Sequence, residues 1–374
     1  MTTYPESPRA IAEREGMAVQ RVFIPGEFYP DSFASHIAET LEAMGCQVMR
    51  YAIRPDRGVG TGAFRQRLWM ARELLNTTVL QRLPIARRRA LERLAAAAVR
   101  FAPDIVLFTY DYLLPGEVAE LKARTGARFA LWYPDAISNL GRMACVAAPF
   151  DALFFKDPYM VEVLRDLARG AVHYLPEAYN PARHRLPDGP FDRAPYVCDV
   201  ATAGSLHVPR FSVFRQLRDY DCKIWGPAPP WWLDVSEVEG MHQRRYVINE
   251  EKAVAFTSAR VLLNTLYPSE VEGLNVRAFE AAGVGAFQML DWRPGLADFF
   301  EDGRELVSFR GMADLKQKLA YYLARPEERA AIAAAGQARA QREHTYAHRL
   351  ALLLRILGGE PAPGGEPGAD PGAR

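Results

Sequence analysis

The stretch SEVEGLNVRAFEAAG, residues 269–283, decides how the chain is read. Glu272 and Glu280 stand with seven residues between them. Gly273 follows the first acid and lets the backbone come close to a ligand. Asn275 is a favoured helix N-cap, so a helix is expected to begin at Val276. The free amides around Leu274, Asn275 and Val276, with the positive end of the helix dipole, favour an anion, most naturally phosphate. Arg277 either adds a forked cation there or is a solvated side chain. Glu280 sits one turn further in, where a carboxylate can accept hydrogen bonds from a vicinal diol such as a ribose. One acid at a sugar, a helix end at phosphates and a second acid at a ribose would make a nucleotide-sugar site.

The sequence around this stretch sets the architecture. ARVLLNTL precedes it and AFQMLD and ELVSF follow it, each reading as a buried strand. Upstream, VCDVATAG reads as a strand, PRFSVFRQLRDY as a helix and CKIWG as a strand. The pattern has a counterpart earlier in the chain. VQRVFIPG, DSFASHIAETLEAMG and CQVMRY form a strand–helix–strand opening. A long helical region over residues 62–100, broken at Pro84, leads to PDIVLFTYD. ARFALWYPD, FDALFFKD and AVHYLPEA follow as further strands, with a helix over 117–124. Strands alternating with helices predict parallel sheets covered on both faces. The division is a first Rossmann-like domain over 17–185, the linker PARHRLPDGPFDRAPY, and a second domain over 195–345. A helix over 346–357 crosses back to the first domain, and the Gly/Pro-rich residues 358–374 form a disordered tail.

Totals narrow the function. The 374 residues suit two domains. Lys and Arg number 46 against 45 Asp and Glu, so no global field draws the chain to nucleic acid or a membrane surface. No apolar run approaches the roughly twenty residues that span a bilayer. The N-terminus MTTYPESPRAIAEREG lacks the apolar core of a secretory signal. The 4 cysteines have no paired spacing, which predicts reduced thiols and a cytoplasmic setting.

In open parallel sheets, ligands bind beyond the carboxyl ends of the strands. In the second half those ends lead into Gly204, Ser205 and Arg210, then Trp225, Gly226 and Pro227, then Glu272, then Asp291. In the first half they lead into Gly26, Glu27 and Phe28, and into Asp135. Asp135 either positions an acceptor or serves as a turn or cap residue. Asp219 and Asp221 precede their strand and belong to a turn at the opposite edge. His344 and His348 are four apart on a helix, and packing is the simpler reading than a metal site. ARRRALER reads as a solvated basic helix face.

YPSEVEGLNVRAFEAAGVGAFQMLD resembles the donor-site segment of retaining glycosyltransferases of the GT-B fold, α/β proteins with two Rossmann-like domains facing a cleft. More narrowly, GLNVRAFEA, TAGS, KIWG, ARVLLNTL and EHTYAHRL together resemble the CgeB-type group of bacterial glycosyltransferases. The likeness spans residues 197–357 and continues more diffusely in PDIVLF, WYPD, FFKD and YLPEAYNP. It implies that Glu280 binds the donor ribose and that Glu272 contacts the transferred sugar. Amides around Leu274 and Asn275 would hold the diphosphate. Gly204, Ser205 and Arg210 would flank it, with Trp225, Gly226 and Pro227 near the base. Many retaining relatives carry a Lys a few residues after that Arg; this chain has none close after Arg210. The implied activity is transfer of a sugar from a nucleoside-diphosphate sugar to an unknown acceptor, with retention, no essential metal and no permanently bound cofactor. Two alternatives stay open at this level: a nucleotide-sugar epimerase of the same fold, and a non-catalytic nucleotide-sugar binding protein.

Overall fold

The structure, a computed structural model, describes residues 5–53 and 83–360. Two parallel sheets organise the chain. The first runs through β1 (Arg21–Gly26), β2 (Gln47–Ala52), β3 (Ile105–Phe108), β4 (Arg128–Tyr133), β5 (Ala152–Phe155) and β6 (Ala171–Tyr174), in the order β2-β1-β3-β4-β5-β6. The second runs through β7 (Cys198–Ala203), β8 (Cys222–Trp225), β9 (Ala259–Asn264), β10 (Gln288–Asp291) and β11 (Val307–Phe309), in the order β11-β10-β9-β7-β8. The central strands β3 and β5 are buried along their whole length and β4 from Phe129 on, as a sheet covered on both faces requires. Each sheet reverses its winding once, between β1 and β3 in the first and between β7 and β9 in the second. Such switch points open a crevice at the carboxyl ends of the strands.

The two Rossmann-like halves anticipated from the alternation are observed. The predicted region 62–82 and the tail beyond residue 360 lie outside the described residues. Three local differences have physical reasons. The helix after β7 spans only Val208–Phe214, because Leu217 turns back to bond Phe214 and the chain enters a turn ahead of β8. The helix Pro8–Arg14, capped by Ser7, was hidden by the polar composition of the N-terminal stretch. The helix Asn249–Ser258 went unread because it follows the irregular segment GPAPPWWLDV and has no clean amphipathic face.

The last helix, Tyr346–Gly358, places Tyr346, Leu350, Leu353 and Leu357 in one core with Val22, Ile24 and Ile37 of the first half. The chain therefore crosses from the first sheet to the second and returns.

Candidate active site in the interdomain cleft

The carboxyl ends of both sheets face each other. Contacts across the cleft fix this approach. Lys156, just after β5, puts its Nζ 2.7 Å from Glu270 Oε1. Asp157 accepts a 2.8 Å hydrogen bond from the Val271 amide and one of 3.2 Å from the Glu272 amide, while also capping the helix Pro158–Leu164. Ser138 Oγ lies 2.8 Å from Ser269 Oγ. A Cβ on Gly273 would come within 2.4 Å of the Lys156 carbonyl oxygen. The glycine therefore makes room for the opposing half of the protein, where the sequence suggested room for a ligand.

At the switch point of the second sheet, Asn275 caps the helix Val276–Gly283, its side chain accepting from the Ala278 amide at 3.2 Å. Asn275 also exchanges hydrogen bonds of 3.0 Å with Asn264 at the end of β9, which fastens the helix start to the sheet. The amides of the first turn ahead of Ala278 are those a helix start leaves over. Leu274 is fully buried in the core, so only its backbone reaches the edge. Asn264 Oδ1 accepts from Arg277 Nη1 at 2.8 Å. From the opposite loop, Arg210 donates to Thr265 Oγ1 at 3.1 Å and to the Ser205 carbonyl at 2.5 Å.

Both guanidiniums converge on Gly204. A Cβ there would lie 2.6 Å from Arg277 Nη2 and 3.1 Å from Arg210 Nη1, and φ is +116°. Neither arginine forms an ion pair among the described residues. Burial, then the neighbouring Arg277, hold the Arg210 guanidinium well below its usual value, and burial lowers Arg277 as well. His207, which caps the helix carrying Arg210, is pushed down to about 4 by burial and by the two arginines. Glu270, Glu280 and Glu177 act on these arginines only from beyond ion-pair distance, so two like charges this close are costly unless an anion completes the site.

Glu280 lies on the same helix but turns elsewhere. It is 5% exposed, and its Oε1 is 2.8 Å from Lys252 Nζ and 3.5 Å from His184 Nε2. Lys252 also pairs with Asp31, which accepts from His184 at 2.7 Å and from His36 at 3.1 Å. Burial opposes ionisation of both acids and is the largest single influence, but Lys252 and His184, joined at Asp31 by His36, together outweigh it and hold Asp31 and Glu280 below the usual carboxylate range. Burial alone would lower Lys252; Glu280 and Asp31 carry it up to about 12. Asp31, His36 and His184 cluster closely enough to suggest a metal site. The Asn180 amide, however, donates to His184 Nδ1 at 3.3 Å, so Nε2 carries the proton given to Asp31. The ammonium of Lys252 is the cation of this cluster.

The remaining predicted residues separate into groups. Glu272 is half-buried in the loop after β9, with its carbonyl accepting from the Gly295 amide at 3.0 Å. Asp135 is half-buried after β4, and its charge acts on Tyr110, Tyr133, Lys156 and Glu177. Gly226 lies against the Gly204 carbonyl, 2.4 Å from where a Cβ would stand, so this close approach needs glycine. The Trp225 ring is 2% exposed in the core, beside Tyr196 and under Arg245. Pro227 is half-buried beyond it, whereas Trp231 and Trp232 of the same loop stand exposed. Asp291 is occupied by the Leu266 amide at 3.0 Å. Glu27 lines a cavity of the first half, Gly26 packs on Ala34, and Phe28 packs on the core. Asp221 and Asp199 bond at the far edge of the second sheet, and His344 and His348 bond to Phe299 and Thr345 in helix packing.

Sequence reasoning missed Glu177, Lys156, Lys252, Asp31 and His184. Glu177 is buried 3.6 Å from Lys156, and burial raises it to about 8 against the pull of that lysine, with Asp135 and Glu270 adding to the rise. LFFKD and YLPEAYNP hinted at the first two only as strand ends.

This geometry is the GT-B arrangement, and the comparisons agree on the fold. Residues 210–355 match a family described as glycosyl transferase-like. No curated protein sequence matches significantly. The chain is similar in structure to HepE of Anabaena in complex with UDP and glucose, at TM-score 0.62 and 12% identity, covering 91% of this chain and 100% of that one. It is also similar to a sucrose-phosphate synthase from Thermosynechococcus elongatus, at TM-score 0.60 and 15% identity, covering 91% and 99%. An α,α-trehalose-phosphate synthase (UDP-forming) from Burkholderia vietnamiensis follows at TM-score 0.57 and 14% identity, covering 91% and 100%.

Proposed function

We propose that the protein is a glycosyltransferase that moves a sugar from a nucleoside-diphosphate sugar to an acceptor hydroxyl, with retention of configuration and no essential metal. The observation that carries this reading is the pair Arg210, buried, and Arg277, half-buried, side by side against Gly204 with no ion-pair partner among the described residues. A dianion such as a diphosphate supplies the missing charge, and guanidiniums suit its geometry. The glycosyl transferase-like match over 210–355 and the UDP complex of HepE support the donor class, so UDP-sugars are the first candidates.

In this mechanism the amides of Leu274, Asn275 and Val276 and the two arginines hold the diphosphate. They stabilise the charge it gathers as its bond to the anomeric carbon breaks. The acceptor oxygen bonds to that carbon, and the hydroxyl proton passes to the departing diphosphate oxygen. Glu272 contacts the transferred sugar. Both contacts of Glu280 fall on Oε1, and we assign Oε2 to the ribose, with Lys252 keeping the acid ionised and oriented. The first half, over 17–185, takes the acceptor and the second, over 195–345, the donor. The transferred sugar is read as a hexose and the group as CgeB-like, on the motifs GLNVRAFEA and EHTYAHRL. Four unpaired cysteines support a cytoplasmic setting.

The test is thermal stabilisation by UDP, other nucleoside diphosphates and their sugars, on wild type and Arg277→Met. A ligand at a hundred times its Kd adds about 2.7 kcal/mol. Wild type should shift, and the variant should shift far less. No shift with any nucleotide would remove the donor site. An inverted product in an NMR time course would remove retention.

A further inference from the structure

Asp31 belongs to the loop after β1, on the edge of the first sheet that faces the second. Its φ is +66°, in the left-handed region that residues other than glycine seldom adopt. Such a conformation persists where the surrounding structure over-determines it. Here the side chain is held by three donors. Asn180 gives its backbone amide to His184 Nδ1 at 3.3 Å and its side-chain amide to His36 Nδ1 at 3.1 Å. Both imidazoles therefore present Nε2–H, and Asp31 Oδ1 receives both, at 2.7 Å from His184 and 3.1 Å from His36. Asp31 Oδ2 is taken by the Lys252 ammonium of the second half. Two of these three donors also reach Glu280. Lys252 Nζ is 2.8 Å from Glu280 Oε1, and His184 Nε2 is 3.5 Å from the same oxygen. Both groups that touch the Glu280 carboxylate are thus held from the other side by Asp31.

We propose that Asp31 is a positioning residue for the donor: from the first half, through Lys252 and His184, it fixes the Glu280 carboxylate that takes the ribose diol, so that donor binding and closure of the two halves favour each other. The inference rests on the transferase reading above and adds how its two halves are coupled. An acid of the second half that is oriented by a residue of the first binds a diol best when the halves are docked. By reciprocity, a nucleotide with the diol stabilises the docked form more than one without it. The arginines assigned to the diphosphate are held by Ser205, Thr265 and Asn264, all of the second half. Their hold on a ligand therefore does not run through Asp31. An Asp31 that served only to neutralise Lys252 would weaken every nucleotide alike.

The test uses the full chain and two readouts. Titration calorimetry measures UDP and dideoxyuridine diphosphate, which lacks the diol, on wild type, Asp31→Asn, Glu280→Gln and the double variant. Asparagine tolerates the left-handed region as aspartate does and keeps an acceptor for both histidines, while the charge that holds Lys252 is lost. UDP should bind Asp31→Asn at least about fivefold more weakly than wild type. Dideoxyuridine diphosphate should change by less than about twofold. The double variant should bind UDP no more weakly than Glu280→Gln does. Equal losses for the two nucleotides overturn the proposal, as does an unchanged UDP affinity or an additive loss in the double variant. The second readout needs no variant to fold. In hydrogen exchange on wild type, UDP should slow residues 27–36 of the first half more than dideoxyuridine diphosphate does at equal saturation. Equal slowing overturns the proposal. If neither nucleotide binds wild type, the donor reading falls and this inference with it. If UDP binds and the diol changes neither readout, this inference alone falls.

Discussion

Lys156 and Glu270 meet across the cleft, Nζ to Oε1 at 2.7 Å, and each is more than nine-tenths buried. The pair joins the end of β5 to the loop that leads into the helix Val276–Gly283. Lys156 also faces Glu177, so it is the cation between two buried acids. Lys156→Met should therefore destabilise the protein by about 3–5 kcal/mol, because it leaves acids buried without their partner. Chemical denaturation measures this. A loss under about 1 kcal/mol would mean that the acids are hydrated and the cleft is looser than described.

Glu177 gives the cleft a pH signature. Its native value is raised to about 8, chiefly by burial, while an unfolded glutamate titrates near about 4.3. The folded state thus binds the proton more tightly. This contribution to stability is complete below about pH 4.3 and is lost as pH rises through 8. Glu177→Gln should match wild type at about pH 4 and melt higher than it at about pH 9. Parallel melting curves across that range would show that Glu177 is ionised in the fold.

Gly204 tests the arginine pair from the backbone side. Gly204→Ala places a methyl group 2.6 Å from Arg277 Nη2 at a positive φ. The conformational strain alone costs about 1–3 kcal/mol. UDP stabilisation should fall by more than the loss in melting temperature accounts for, since the guanidiniums must part. A variant that melts lower but keeps its full UDP shift would separate the loop from the anion site.

Lys252 separates ribose binding from fold integrity. Lys252→Met leaves Asp31 and Glu280 buried without a cation and should cost about 3–5 kcal/mol. Glu280→Gln keeps the shape and removes one acid, so it should cost much less. It should still weaken the UDP-induced shift. A nucleoside diphosphate lacking the ribose diol should show no difference between wild type and Glu280→Gln. If it does, Glu280 acts on the nucleotide through Arg277 or Lys252 and not through the sugar.

The legible part of this chain was what one local segment dictates. Asn275 announced its helix because an N-cap needs only the next three residues. The strand ends carrying Gly204, Arg210 and Glu272 followed from alternation and the rule for parallel sheets. What stayed hidden was set by the topology. Asp31, His184, Lys252 and Glu280 come from four distant segments, and no spacing announces their meeting. The burial of Trp225 was equally illegible: a residue at a strand end can turn to the core or to the cleft, and its packing on Tyr196, from before β7, is a contact no local spacing announces.

The closing helix Tyr346–Gly358 gives the chain an order of assembly. Strands β1 to β6 leave the ribosome first, yet their core includes Leu350, Leu353 and Leu357. The nascent first half must wait, with that apolar face uncovered, while the whole second sheet is synthesised. The half that begins the chain is therefore among the last parts to be finished, and its exposed face is the stretch a chaperone would meet during translation.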